Sequence, residues 1–420
     1  MKCDGSFLEI SERKQRLLID AAIDTRPVSG LTHNFYKYPA RFSPLFVRAA
    51  IEAFSRRGDL VMDPHVGGGT TLVEALCAGR DAIGVDISPL AEFVTRVKTT
   101  IFSEAELERL DTWAKRLPAV INLRKYSFQF GEYARLGYYK HIDCNHRWRL
   151  RKAIEQAIYS AMRLDTPRLE SFGRCAVLRT SQWALDGRAE QPTIAEFREF
   201  LSATAAEMVA GARALRATVQ ANGYRPTIEI LSRSAAGLEH DMRTDGWRPP
   251  RLIVTSPPYP GVHVLYHRWQ VDGGKEAPLP FMIAGKLDGA GSSYYTMGDR
   301  KYPALKTYFN NIRATMSSVA ALSDEQTAFV QIVAFSDPSW QLPRYLETME
   351  EAGLQEIFIP SLRGRSDGRL WRSVPGRRWY SDQRGETPGS NEVVMIHRKA
   401  AAAPRRCGAK AVAAQSLPSA

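Results

Sequence analysis

The chain predicts an α/β fold, a parallel sheet flanked by helices and interrupted by a long helical insertion. Three observations carry this. Leu60 to Pro64 (LVMDP) is a short apolar run that stops at VGGGTT; a helical stretch, TTLVEALCAG, follows, and then a second apolar run, DAIGVDISP, with Asp86 at its tip. Strand, Gly-rich turn, helix, strand is the opening of a βαβ unit, which implies a parallel sheet. From about 104 to 222 strand signals give way to helical ones, and apolar strand-like runs resume at Pro226.

The elements follow in order. Residues 9 to 24 read as a short helix. Thr32 to Pro44 (THNFYKYPARFSP) is a Pro-punctuated aromatic and basic loop, and LFVRAAIEAFS after it has apolar residues at helical spacing. The helix after the Gly-rich turn ends at Gly79, a natural C-terminal cap. SEAELERLDTWAKRL opens on Ser103 with acids in its first turn, as a helix start should. WRLRKAIEQAIYSAMRL and TIAEFREFLSATAAEMVAGARALRATV continue the helical pattern. Strands are predicted at Pro226 to Ser232, Arg251 to Tyr259, Gln326 to Phe335 and QEIFIP, with RYLETMEEAGL a helix. Glu392 to Arg398 reads as the last strand, and the tail from Ala400 is small, basic and predicted to be disordered. No internal repeat is visible.

Length and composition exclude several classes. The 420 residues allow two or three domains, or one domain with a large insertion. At 44% hydrophobic and 24% charged the chain can bury a real core. No apolar run approaches the ~20 residues that span a bilayer, and MKCDGSFLEISERKQRLL lacks the apolar centre of a secretory signal. Five scattered cysteines without a CxxC argue for a reducing compartment and so a cytoplasmic protein. His141, Cys144 and His146 do not have the spacing of a zinc site, and no metal is expected.

Lys and Arg number 57 against 45 acids, a net charge of +12, which favours a polyanionic partner. Two segments concentrate that charge. Arg124 to Lys152 holds eight basic residues and two acids, interleaved with Tyr126, Phe128, Phe130, Tyr133, Tyr138, Tyr139 and Trp148. This suits nucleic acid or, equally, an amphipathic subdomain with a solvated face. Arg363 to Arg384 (RGRSDGRLWRSVPGRRWYSDQR) holds seven Arg with Trp371, Trp379 and Tyr380, and reads as a flexible phosphate clamp or base reader.

Two motifs carry chemistry. In DPHVGGGTT (Asp63 to Thr71) glycines let the backbone approach a ligand, and the next helix presents free N–H groups. The loop is neither GxxxxGK[ST] nor GxGxxG. Asp86, at the tip of the next strand, can accept hydrogen bonds from both hydroxyls of a ribose. Together they fit an adenosine-containing cofactor. The second motif, Thr255-Ser256-Pro257-Pro258-Tyr259, ends an apolar strand. Two prolines remove two N–H donors, which strand packing does not call for. The arrangement suits a planar exocyclic amine: Ser256 Oγ and the Pro257 carbonyl as acceptors, the Tyr259 ring as a stacking surface.

On these motifs the chain resembles the S-adenosylmethionine-dependent DNA amino-methyltransferases that modify cytosine N4 or adenine N6. DPHVGGGTT looks like their DPF-x-G-x-GTT cofactor loop, GVDISP like the acidic segment after it, and TSPPY like their [DNS]PP[YFW] tetrad. FYKYPARFSP looks like the segment that closes over the methionine end of the cofactor. The order is closing segment, cofactor loop, tetrad; several relatives use the permuted order. The resemblance covers roughly residues 32 to 95 and 226 to 400. His65 stands where relatives have Phe, and Ser232-Arg233-Ser234 where relatives often carry an acid near the adenine.

The resemblance implies a class I, Rossmann-like methyltransferase fold with a mostly parallel seven-stranded sheet, helices on both faces, and the helical insertion added. It divides the chain into an N-terminal extension (1–31), a cofactor-binding part (32–103), the insertion (104–222), a catalytic part (223–399, with the Arg-rich loop 363–384) and a tail (400–420). It implies S-adenosyl-L-methionine held by Tyr38, Pro39, Phe42, Asp63, Pro64, His65, Gly67, Gly69, Thr70, Thr71, Asp86, Ile87 and Ser88, with Ser256, Pro257, Pro258 and Tyr259 catalytic. Arg363, Arg365, Arg369, Arg372, Arg377, Arg378 and Trp379 are the expected DNA contacts. Past the tetrad, Tyr266, Arg268 and Trp269 sit either near the base or in a packed helix. The expected activity is methylation of an amine on a base flipped out of double-stranded DNA, with a companion restriction endonuclease as a partner. Ser at the first tetrad position leans toward cytosine N4 over adenine N6. An RNA amino-methyltransferase and a non-catalytic nucleic-acid-binding module with a decayed cofactor site stay open as alternatives.

Overall fold

The computed structural model describes residues 6–400, apart from 25, 27, 39–41, 127–129, 189, 243–245, 262–267, 272–274, 289–294, 299–302, 365–366 and 374–390. The core is a mixed sheet of β1 (Leu60–Asp63), β2 (Asp81–Asp86), β3 (Ile228–Ser232), β4 (Leu252–Thr255), β7 (Ala328–Ala334), β8 (Leu354–Ile357), β9 (Leu370–Ser373) and β10 (Asn391–Lys399). A separate hairpin pairs β5 (Trp269–Val271) with β6 (Lys275–Ala277). The sheet order is β3-β2-β1-β4-β7-β10-β8, with β9 also on β10. Strands β1, β2, β3, β4 and β7 pair in parallel. β10 alone runs against its neighbours, paired with β7 on one edge and with β8 and β9 on the other.

The sheet therefore has eight strands where seven were expected. The extra one, β9, lies inside the Arg-rich stretch expected to be a loop. Leu370 and Arg372 are buried, so a half-buried strand is hidden there by its arginines.

Alternation along the strands divides the core into two layers. Val61, Leu252, Val254, Val330, Ile332 and Ile396 face one cluster, which includes α1 (Glu12–Ile23), α2 (Pro44–Phe54) and α3 (Thr70–Cys77). Met62, Ile253, Phe329, Val333 and Met395 face the other, with α10 (Leu238–Met242), α12 (Lys306–Ala321) and α13 (Pro338–Glu351). Helix α12, KTYFNNIRATMSSVAA, has no counterpart among the elements predicted from the sequence.

Between α4 (Pro89–Thr99) and β3 the chain is helical: α5 (Glu104–Val120), α6 (Gly131–Arg135), α7 (Trp148–Met162), α8 (Pro167–Leu185) and α9 (Ile194–Ala221). The long helices start where side chains can satisfy free N–H groups. Ser103 with Glu106, and Thr193 with Glu196, form reciprocal capping boxes on α5 and α9. These helices share one hydrophobic cluster with α4, with Tyr36 and Tyr38, and with the β5–β6 hairpin and the following α11 (Leu279–Ala284). Of the aromatics at 124–152, Phe130, Tyr138 and Tyr139 are buried in this cluster and Tyr133 packs against it, whereas Tyr126 and Trp148 are exposed. Most of the described aromatics of that stretch serve the core of the insertion, and Phe128 lies outside the described residues. Among the described residues, no helix is long and apolar enough to cross a membrane.

Helix α9 docks at Gly211. A Cβ there would run into the carbonyl oxygen of Leu31, a residue itself at φ 45. Gly211→Ala should therefore separate α9 from the chain entering the closing segment. The expected cost is about 1–3 kcal/mol, read as a fall of several degrees in melting temperature followed by circular dichroism. An unchanged melting temperature would show that this close approach is not made.

Candidate active site at the C-terminal ends of the parallel strands

The sheet order reverses between β1 and β4, and the crevice above the carboxyl ends of such a pair is where open α/β sheets bind ligands. Asp63 ends β1 and Thr255 ends β4, so the register of the two strands brings them together. Asp63 is buried and accepts three hydrogen bonds: from Thr71 Oγ1 at 2.6 Å, Thr255 Oγ1 at 2.8 Å and the His65 N–H at 3.1 Å. Burial pushes its carboxyl up to about 6, although these donors act the other way.

His65 sits next to this group. Asp63 takes the Thr255 hydroxyl proton, so Thr255 Oγ1 accepts from His65 Nδ1, 3.3 Å away. That assigns the proton of the neutral ring to Nδ1 and leaves Nε2 an acceptor. Burial drives the imidazole down to about 3, so the ring is neutral near pH 7. Nε2 is buried and has no hydrogen-bond partner among the described residues.

The Gly-rich turn is shaped by close contacts. Gly67 and Gly69 have φ of 47 and 76, a region costly for other residues. A Cβ on Gly68 would sit 3.0 Å from Tyr38 Cβ, and one on Gly69 would sit 2.7 Å from Thr95 Oγ1. The Gly68 carbonyl accepts from the buried Lys98 Nζ at 2.7 Å, and the Lys98 carbonyl accepts from Thr32 Oγ1 at 2.8 Å. One lysine thus ties the turn to the start of the closing segment. His33, bonded through Nε2 to Glu74 at 2.8 Å, ties that segment to α3 as well.

Asp86 completes this half. One oxygen accepts the Gly67 N–H at 2.9 Å, the other the Ser88 N–H at 2.8 Å. Each oxygen keeps lone pairs for a further donor. Burial raises its carboxyl to about 6.

These parts line one cleft, which encloses about 890 Å³ with its open mouth included. Of the predicted residues, Tyr38, Phe42, Asp63, Pro64, His65, Gly67, Thr70, Thr71, Asp86, Ile87, Ser256 and Pro258 line it. Pro39 lies outside the described residues. Gly69 and Ser88 are better explained by folding: Gly69 is the left-handed cap of α3, and the buried Ser88 caps α4 through the Ala91 N–H at 3.3 Å. Gly68, Arg233, Ser234, Ala235, Tyr295, Met297 and Thr315 line the cleft without having been singled out as ligands. Gly68 was legible in the glycine run and Arg233-Ser234 as a departure from the family pattern. Tyr295, Met297 and Thr315 carry no motif.

The tetrad differs from expectation at two positions. Ser256 lines the cleft, but Tyr259 is buried in the core below it, so its ring does not form the expected stacking surface. Its hydroxyl donates to Glu392 Oε1 at 2.6 Å and accepts from Ser256 Oγ at 3.0 Å. Pro257 is buried, and the Pro258 carbonyl accepts from Tyr308 at 2.8 Å. Past the tetrad, Tyr266 lies outside the described residues, Arg268 pairs with Asp288, and Trp269 is buried with its Nε1–H on Tyr36.

The Arg-rich segment is corrected too. Arg372 is buried and pairs with Glu392 at 2.9 Å, and Arg369 pairs with Glu356 at 2.6 Å and with Asp367 at 3.5 Å. Both guanidinium groups are committed to internal carboxylates rather than to phosphates. Arg363 is exposed, over the Phe7 ring. Arg365, Arg377, Arg378 and Trp379 lie outside the described residues.

The strand order, with its one antiparallel strand next to the edge, and the cleft at the β1–β4 reversal define a class I methyltransferase fold. Residues 14–94, which contain the closing segment, the Gly-rich turn and Asp86, match the DNA methylase family of N6 and N4 type. Over 86 residues the chain is 38% identical to Type II methyltransferase M.BsoBI of Geobacillus stearothermophilus, covering 20% of this chain and 17% of that protein. Over 82 residues it is 35% identical to Type II methyltransferase M.MvaI of Kocuria varians, covering 19% and 18%. The matched stretch is thus less than a fifth of the length of these curated relatives. Among solved structures, an rRNA methyltransferase from Streptomyces viridochromogenes aligns with a TM-score of 0.31 at 10% identity over 94% of this chain and 96% of that one. A SAM-dependent methyltransferase from Agrobacterium tumefaciens aligns with a TM-score of 0.30 at 10% identity, over 86% and 63%.

S-adenosyl-L-methionine is the cofactor of this family, and the cleft suits it. The glycines let Tyr38 lie against the turn, Asp86 would offer its remaining lone pairs to ribose hydroxyls, and His65 Nε2 is a buried acceptor without a partner among the described residues. When bound, the cofactor supplies an electrophilic methyl group. With its carboxyl raised to about 6, Asp86 loses its charge as pH falls through that value. Cofactor affinity measured by calorimetry should therefore fall about tenfold between pH 7 and 5. Asp86→Asn should bind weakly and keep only the part of this dependence that Asp63, also raised to about 6, contributes; a variant with both the affinity and the pH profile of the wild type would remove Asp86 from the cofactor's ribose.

Proposed function

We propose that the protein is a DNA amino-methyltransferase that methylates an exocyclic amine of a base flipped out of double-stranded DNA, and that the amine is N4 of cytosine. The observation that carries this is the position of Ser256. Its hydroxyl lines the same cleft as the Gly-rich turn and Asp86, with its proton engaged by Tyr259. Its lone pairs are therefore the acceptor an amine N–H needs, in the cleft where a methyl donor would sit. An amine inside a base stack could not reach Ser256 in this cleft, so the base must leave the duplex. Positioning of amine and methyl donor supplies much of the rate, and no covalent enzyme intermediate is needed.

The family match supports DNA as the substrate, and a companion restriction endonuclease is the partner we propose with it. The excess of positive charge supports a polyanion, and a cytoplasmic, nucleoid-bound protein. Serine rather than an acid or amide at the first tetrad position supports cytosine. Site reading is assigned to the insertion or to the Arg-rich 363–384 segment.

DNA from a methylation-free host expressing the chain, hydrolysed to nucleosides and analysed by mass spectrometry, tests this. N4-methylcytosine should be present with the wild type and absent with Ser256→Ala. N6-methyladenine would overturn the base assignment alone. Neither mark on DNA, with cofactor binding intact, would overturn DNA as the substrate and bring RNA forward.

A further inference from the structure

Below the cleft, four polar side chains form an unbroken line into the core. Ser256 Oγ donates to the Tyr259 hydroxyl at 3.0 Å, Tyr259 donates to Glu392 Oε1 at 2.6 Å, and Glu392 Oε2 accepts from Arg372 Nε at 2.9 Å. Arg372 Nη1 also donates to the Ala22 carbonyl at the end of α1, at 3.3 Å. Tyr259, Glu392 and Arg372 are 4%, 4% and 6% exposed. Burying an ion pair and a phenol is expensive and would not be needed to pack a strand end; an apolar cluster of the same volume would serve as well.

The line also has a fixed direction. A carboxylate paired with a guanidinium only accepts, so the Tyr259 proton must point to Glu392. The tyrosine oxygen is then left as an acceptor, and the Ser256 proton must point to it. Ser256 consequently presents lone pairs, and only lone pairs, to the cleft. Without this chain the serine hydroxyl would be free to rotate and offer its proton to the target amine, whose lone pair is the nucleophile.

We infer that Tyr259 and Glu392 are positioning residues of the methyl transfer, which hold Ser256 as an acceptor and carry away the proton that the amine releases. This rests on the amino-methyltransferase reading above. The amine nitrogen forms a bond to the methyl carbon while the sulfur keeps the electron pair of the bond that breaks. The nitrogen is then positively charged and must lose one proton. That proton passes to Ser256 Oγ as the serine proton passes to the Tyr259 oxygen and the tyrosine proton passes to Glu392 Oε1. Glu392 ends as a neutral acid and later returns its proton to water. Glu392 is the only carboxylate in this line of hydrogen bonds and so the group that ends it.

Tyr259→Phe removes one oxygen and keeps the ring, so it tests the chain with little change in packing. In single-turnover assays with saturating S-adenosylmethionine and DNA, its methylation rate should fall about 10²-fold, with cofactor affinity and melting temperature close to wild type. The wild-type rate in H2O–D2O mixtures should show a bowed proton inventory, several protons moving together, and the variant should lose the bow. Independently of turnover, the 19F resonance of 3-fluorotyrosine at position 259 should shift in the protein without substrate on Ser256→Ala and on Glu392→Gln. If Glu392→Gln does not fold, with Arg372 left unpaired, Ser256→Ala and Tyr259→Phe still decide. Tyr259→Phe at the wild-type rate would overturn the inference while leaving the activity intact, as would a resonance indifferent to Ser256→Ala. No methyl transfer by the wild type itself would overturn both readings.

Discussion

The buried carboxylate of Asp63 is the constraint on which the rest of the site depends. Its three donors come from the turn after β1, the first turn of α3 and the end of β4. A carboxylate taken out of water is costly unless hydrogen-bonded, and removing one donor exposes that cost. The strand ending in the Gly-rich turn and the strand ending in the serine are thus held in one register by a polar contact, beyond what backbone pairing supplies. The orientation of His65 follows from the same contact, because Thr255 must accept from it. The two halves of the cleft, separated by nearly 200 positions in sequence, are in effect one unit.

A second dependence links the helical insertion to the cleft. Tyr36 and Tyr38 of the closing segment belong to the same apolar cluster as α5, α7, α8 and α9. Trp269, just past the tetrad, reaches that cluster and bonds to Tyr36. Gln182 of α8 holds the Lys37 carbonyl at 3.0 Å. The insertion therefore braces the segment over the Gly-rich turn as well as adding surface. Any movement of the insertion on a large ligand would be felt at Tyr38, which lies against Gly67 and Gly68.

Much of this was legible in the sequence, and the reason differs from residue to residue. Asp63, the glycines and Asp86 could be read because backbone geometry and burial restrict those positions to very few residue types. The strand-turn-helix pattern around them was equally plain. Tyr259 was misread because a tetrad says which residues are adjacent in sequence but not which way each side chain points. Its direction is set by Glu392 and Arg372, on strands more than a hundred positions away. Arg372 and Arg369 were taken for surface residues since composition counts charges without their partners. Tyr295, Met297 and Thr315 reach the cleft through tertiary packing alone, which no local spacing reports.

The N-terminal helix bears on where a minimal version of this protein could begin. The family match begins at residue 14, but the recognisable motifs start only near Thr32, which makes the residues before them look dispensable. Yet the Ala22 carbonyl caps Arg372, the Gln15 side chain holds Ser361, and Leu8 and Phe358 share a backbone bond of 2.9 Å. The stretch from Leu8 to Ala22 is closed onto the last third of the chain. A fragment trimmed to the first motif would lose more than an appendage. It would leave the Arg372 guanidinium half-satisfied beneath Ser256, so the unit that holds this serine in place extends further upstream than the motifs do.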